Sequence, residues 1–159
     1  MKPLAFTCGD PAGVGPEIIA SWLVANPREA AGVAVIGPAK WLGQLPDGPV
    51  KVPVGLEEFS ATPGQPDGEG ALVAWAAMER AAAGCLSGEF SGVVTGPISK
   101  AALAKIGYPF PGQTEFFAAR WGGEHLPFKI SHLEYVLLGL LLVGGVRLNT
   151  RAGEKQNPS

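Results

Sequence analysis

The chain has 159 residues, 12 basic against 14 acidic side chains for a formal net charge of -2, and a mean hydropathy of +0.20. These values suit one folded domain with a sizeable core and argue against disorder over most of the chain. They supply no basic field for duplex DNA or RNA, and the most apolar stretch, Tyr135 to Val146, falls well short of the ~20 residues that span a bilayer.

In chain order, Pro3–Cys8 reads as a strand, Glu17–Val24 as a helix, Val33–Gly37 as a strand and Ala39–Leu45 as a helix. That alternation predicts βαβ units. Pro49–Val54 again reads as a strand, which Pro53 pushes towards a sheet edge because proline has no N–H to give a ladder. A Pro/Gly/Asp-rich connector, Ala61–Gly68, leads into a helix from about Glu69 to Ala83, apolar on most sides with Glu79 and Arg80 as its polar stripe. Gly92–Gly96 then reads as a buried strand and Ile98–Lys105 as the helix after it. The expected fold class is α/β, a mixed, mainly parallel sheet with flanking helices. Cys8 and Cys85 lie far apart with no CxxC or Cys/His spacing around either, so both read as small core hydrophobes in a reducing compartment. The first Gly/Asp turn comes before any apolar run long enough for a signal segment, which points to a cytoplasmic location.

Three turns carry possible chemistry. In Cys8-Gly-Asp-Pro-Ala-Gly-Val-Gly-Pro-Glu17, Gly9, Gly13 and Gly15 allow a tight path and Pro16 suits the start of a helix, whose free N–H groups can receive a phosphate or carboxylate. Asp10 there either binds a hydroxyl or closes an Asx turn. The segment is neither a GxGxxG nor a GxxxxGK[ST] phosphate loop. Val93-Val-Thr-Gly-Pro-Ile-Ser-Lys100 repeats the device, with Ser99 and Lys100 expected in a helix's first turn. A cation there opposes the helix dipole, so Lys100 either meets an anion or simply points into solvent. Tyr108-Pro-Phe-Pro-Gly-Gln-Thr-Glu-Phe-Phe117 presents Gln113 and Thr114 ahead of an amphipathic helix, as helix caps or as ligand contacts.

Together, Gly9–Glu17, Thr95–Lys100 and Pro109–Phe117 resemble the 4-hydroxythreonine-4-phosphate dehydrogenase family of vitamin B6 biosynthesis, in the family's order and over residues 1–123. The resemblance implies an α/β subunit related to the isocitrate and isopropylmalate dehydrogenases, working as a homodimer on a small phosphorylated substrate. It implies NAD- or NADP-dependent oxidation of the substrate's secondary alcohol, then loss of carbon dioxide to an aminoketone phosphate, helped by a divalent metal such as Zn, Mg or Co. The family's substrate-contacting His-Thr pair corresponds to Gln113 and Thr114. Gln113 departs from that pattern, keeping a donor and an acceptor while losing any proton-transfer role. Asp10 and Lys100 lie in matched motifs and are cleft candidates.

The resemblance also implies three metal-binding histidines later in a chain about twice as long, and these have no match here. His125 and His132 are the only histidines, and Pro127 breaks any helix that would bring them to one face, so no metal ligand is assigned. The expected division is 1–123, the N-terminal part of the dehydrogenase fold, and 124–159, a divergent tail, truncated or frame-shifted and frayed at its polar end. On this reading the Leu137–Val143 run stands in for missing core and leaves an apolar patch. Two alternatives remain open: a paralogue that oxidises threonate or erythronate phosphate, and an inactive fragment that still binds phosphate.

Overall fold

The computed structural model describes residues 1–122. Four short strands form the sheet: β1 (Leu4–Thr7), β2 (Val33–Gly37), β3 (Val50–Pro53) and β4 (Gly92–Thr95). Their spatial order is β3-β2-β1-β4, and all three pairings are parallel. No antiparallel strand of the expected mixed sheet lies among the described residues. Pro53 does end an edge strand, as its missing N–H requires.

Parallel neighbours need crossovers, and the crossovers here are helical. Helices α1 (Gly15–Ala25), α2 (Pro27–Ala30) and α3 (Ala39–Leu42) join the first three strands. Their apolar residues Ile19, Leu23, Ala30 and Leu42 pack with Phe6, Val33 and Val35 on one sheet face. Helix α4 (Gly68–Ser87) carries the chain back to β4 and covers the opposite face, where Val73, Ala77, Met78 and Ala81 meet Ala5, Ala34 and Ile36. Alternate side chains of β1, β2 and β4 therefore serve two separate cores. Helix α4 begins where Asp67 Oδ1 accepts from Gly70 N at 2.7 Å and ends on the left-handed Gly88, a full turn beyond the expected Ala83.

Two expectations need correction. Strand β4 is half-buried along its length, not buried, because among the described residues it pairs on one side only. Helix α5 (Lys100–Lys105) starts two residues later than expected, because Ser99 is its cap and accepts from Ala102 N at 3.2 Å. Helix α6 (Gln113–Trp121) follows the proline loop and docks Phe116 and Phe117 into the α4-side core. His125, His132, the Leu137–Val143 run and the 124–159 tail lie outside the described residues. No helix among residues 1–122 is long and apolar enough to cross a membrane.

The β1–α1 and β4–α5 turns approach each other closely through backbone atoms. A Cβ on Gly15 would stand 2.2 Å from the Cys8 carbonyl oxygen, and one on Gly96 would stand 2.6 Å from the same atom. Gly9, at φ +69, would place a Cβ 2.3 Å from the Pro97 oxygen. Gly15→Ala is therefore expected to cost more than about 2 kcal/mol through overpacking. Gly107→Ala, at φ +81 but in open space, should cost only about 1 kcal/mol of backbone strain. Urea unfolding midpoints of the two variants check that order.

Candidate active site

The sheet order gives the site its place. The chain moves outward from β1 through β2 to β3, then returns to the other side of β1 as β4, so its direction of travel reverses between β1 and β4. In open parallel sheets, ligands gather beyond the carboxyl ends of the strands at such a reversal. The β1–α1 and β4–α5 turns both emerge there, and Asp10 N donates to Pro97 O at 2.8 Å, closing the backbone between them.

Asp10 is buried, and its Oδ1 accepts from Ala12 N at 2.8 Å. This is the Asx-turn reading of the residue, and it shapes the loop. Lys100 opens α5, is exposed, and forms no ion pair among the described residues. It rims a 240 Å³ depression floored by Leu103, Ala104, Tyr108, Phe110 and Pro111.

The expected capping role of Gln113 and Thr114 is not what the structure shows. Gly112 is the N-cap of α6, no side chain bonds across that end, and both residues sit inside the first turn. Thr114 is exposed, while Gln113 reaches across to the β4–α5 turn and donates from Nε2 to Gly96 O at 2.9 Å. A carbonyl accepts and never donates, so Gly96 dictates which way the amide faces. Oε1 is left as a buried acceptor without a partner among the described residues. One N–H donor of the side chain is spent on the fold, and the acceptor half remains.

Residues that sequence reasoning did not single out hold this arrangement. Tyr108 donates its hydroxyl to Gly112 O at 3.1 Å, pinning the residue before Gln113, and burial pushes its phenol up to about 12. Its ring meets Trp75, Phe110 and Phe116 at centroid separations of 5.3, 5.4 and 6.3 Å. Arg120 of α6 donates from both Nε and a terminal nitrogen to Glu79 of α4, with its guanidinium 5.0 Å from the Phe116 ring centre. The paired Glu79 also accepts from Trp75 Nε1 at 3.1 Å. Aromatic density in Tyr108–Trp121 was the available signal. The partner on α4 was not readable from spacing.

Among the described residues no three His, Cys, Asp or Glu side chains converge as a metal donor set. Both histidines of the chain lie beyond residue 122. Residues 1–122 thus hold no complete donor set of that kind for the implied metal. Cys8 is buried, its Sγ is directed to Gly9 O at 3.2 Å, and burial pushes its thiol up to about 12, so it is no nucleophile.

Comparison with known proteins gives the site a context. A family model described as pyridoxal phosphate biosynthetic protein PdxA matches residues 22–138, beginning inside α1 and running past Gly123. A 4-hydroxythreonine-4-phosphate dehydrogenase of Zymomonas mobilis is 39% identical, over 77% of this chain and 42% of its own. One of Methylorubrum populi is 36% identical over 89% and 48% respectively. The crystal structure of the Klebsiella pneumoniae enzyme of that name superposes with a TM-score of 0.64 at 29% identity, covering 76% of this chain and 44% of that one. The chain thus spans under half the length of the curated relatives it matches.

Arg120 holds the Glu79 carboxyl below its ordinary value of 4.5, with Trp75 helping and partial burial opposing. A depressed folded value means that the pair's contribution is present above the unfolded value and is lost as pH falls through the folded one. Arg120→Gln should return Glu79 to the ordinary carboxylate range in a carboxyl NMR titration. The pair lies at the surface, where solvent screens it, so at neutral pH the variant should lose little stability.

Proposed function

The chain belongs to the pyridoxal phosphate biosynthetic protein PdxA family, and from that membership we propose that it forms the N-terminal part of a 4-hydroxythreonine-4-phosphate dehydrogenase subunit. In the proposed reaction the secondary alcohol of 4-phosphohydroxy-L-threonine gives a hydride to NAD or NADP and a proton to its surroundings. The resulting 2-amino-3-oxo acid loses carbon dioxide to leave 3-amino-2-oxopropyl phosphate. The proposal includes a cytoplasmic homodimer, residues 1–123 as the dehydrogenase part, 124–159 as a diverging tail, and a divalent metal whose ligands lie outside residues 1–122.

The observation that carries the reading is the Gln113 amide. Its Oε1 lies beside the two strand-end turns without a hydrogen-bond partner among the described residues, and its two lone pairs allow it to accept from a hydroxyl or ammonium of the substrate as well as from an internal donor. Thr114 stands next to it in the first turn of α6, exposed, at the helix end where dipole and free N–H groups favour a negatively charged ligand. Lys100 adds an exposed cation at the start of α5, and Asp10 keeps the β1–α1 turn in shape. The relatives' names support hydroxythreonine phosphate over threonate or erythronate phosphate as substrate.

A chimera joining residues 1–122 to the C-terminal half of the Zymomonas mobilis relative tests this. It should reduce NAD or NADP with 4-phosphohydroxy-L-threonine and a divalent metal present. Gln113→Leu should lower kcat/KM by about 10- to 100-fold, the worth of one buried hydrogen bond to substrate. Turnover of threonate phosphate alone, or an unchanged Gln113→Leu variant, would overturn the assignment.

A further inference from the structure

We propose that Thr7 is a positioning residue for Gln113, and that one internal water joins the Thr7 hydroxyl to Gln113 Oε1. Thr7 is 1% exposed, and its Oγ1 has no hydrogen-bond partner among the described residues. Gln113 Oε1 is the only other buried side-chain atom there in that condition.

Backbone bonds bring the two residues together. Thr7 pairs with Thr95 across the sheet, and the Thr7 carbonyl accepts from Gly96 N at 2.9 Å. The Gly96 carbonyl in turn accepts from Gln113 Nε2 at 2.9 Å. One residue, Gly96, thus bonds both. The sheet faces agree. Ala5 and Val93 belong to the α4-side core, whereas Phe6 and Val94 belong to the other. Strand alternation therefore turns Thr7 and Thr95 to the α4 side. Gln113 lies three and four residues ahead of Phe116 and Phe117, which bury into that same core, so it shares their face of α6.

The two groups are complementary, a hydroxyl donor and an amide acceptor, but no direct bond joins them, and a third group can. The Thr7 hydroxyl donates and accepts, Gln113 Oε1 only accepts, and a water between them accepts from the first and donates to the second. The Thr95 hydroxyl, half-buried on the same sheet face, is a further partner, and buried waters typically hold about three. Thr7 is too enclosed to meet substrate itself. Its effect on catalysis rests on the reading of Gln113 as a substrate contact; the water does not.

The test is made on the 159-residue chain without substrate or cofactor, so it is independent of whether the dehydrogenase reading survives. In wild type, a long-lived water should give a nuclear Overhauser effect of slow-tumbling sign to the Gln113 side-chain amide protons. Thr7→Val, close in shape but without the hydroxyl, should abolish it, shift the Gln113 amide resonances and lower Tm. Thr7→Ser should keep the signal. Absence of the water signal in wild type overturns the proposal even if no variant folds. So does a Thr7→Val protein that keeps the signal unchanged, or one that melts higher than wild type, since removing a dry unpaired hydroxyl stabilises.

Discussion

One carbonyl oxygen, that of Cys8, limits the rest of the architecture. It lies so close to the α carbons of Gly15 and Gly96 that neither position admits a side chain. The first contact seats the start of α1 against the end of β1. The second clamps the β4–α5 turn against the β1–α1 turn. Because β1 and β4 are neighbours only through the long crossover of α4, this clamp joins segments nearly ninety residues apart in the chain. Sheet order, site location and the reach of Gln113 to Gly96 all depend on it.

Much of the fold was legible because its signals are local. Val33–Gly37 is short, apolar and rich in β-branched residues, and Pro53 marks an edge through its missing donor. Helix boundaries were less legible where one side chain decides them. Ser99 could sit in a first turn or cap it, and the bond to Ala102 N selects the cap. Strand β4 has the composition of a central strand, yet its exposure follows from neighbours that composition does not name.

The site was legible as a set of turns and not as an arrangement. Gln113 and Thr114 stand out in the sequence as a pair, but periodicity placed them before α6 and left capping as the ready structural use. Nothing in the spacing says that a side chain at 113 will bond a carbonyl at 96, since that depends on two strands being adjacent. Asp10 illustrates the opposite case. Its Asx turn is a local interaction, already written in Asp-Pro-Ala, and the structure uses it in that way. Family resemblance joined three motifs that physical reasoning could only treat one at a time.

The pairing of Arg120 with Glu79 ties the far end of α6 to α4, while Tyr108 holds the loop ahead of its near end. A nine-residue helix on its own is too short to persist in water, so these contacts are what keep its first turn in one conformation. The ordering entropy of Gln113 and Thr114 is accordingly met during folding, before any ligand arrives. For the substrate proposed above, affinity at this surface would therefore lose little to rearrangement, and association would be limited by encounter more than by reshaping of the protein.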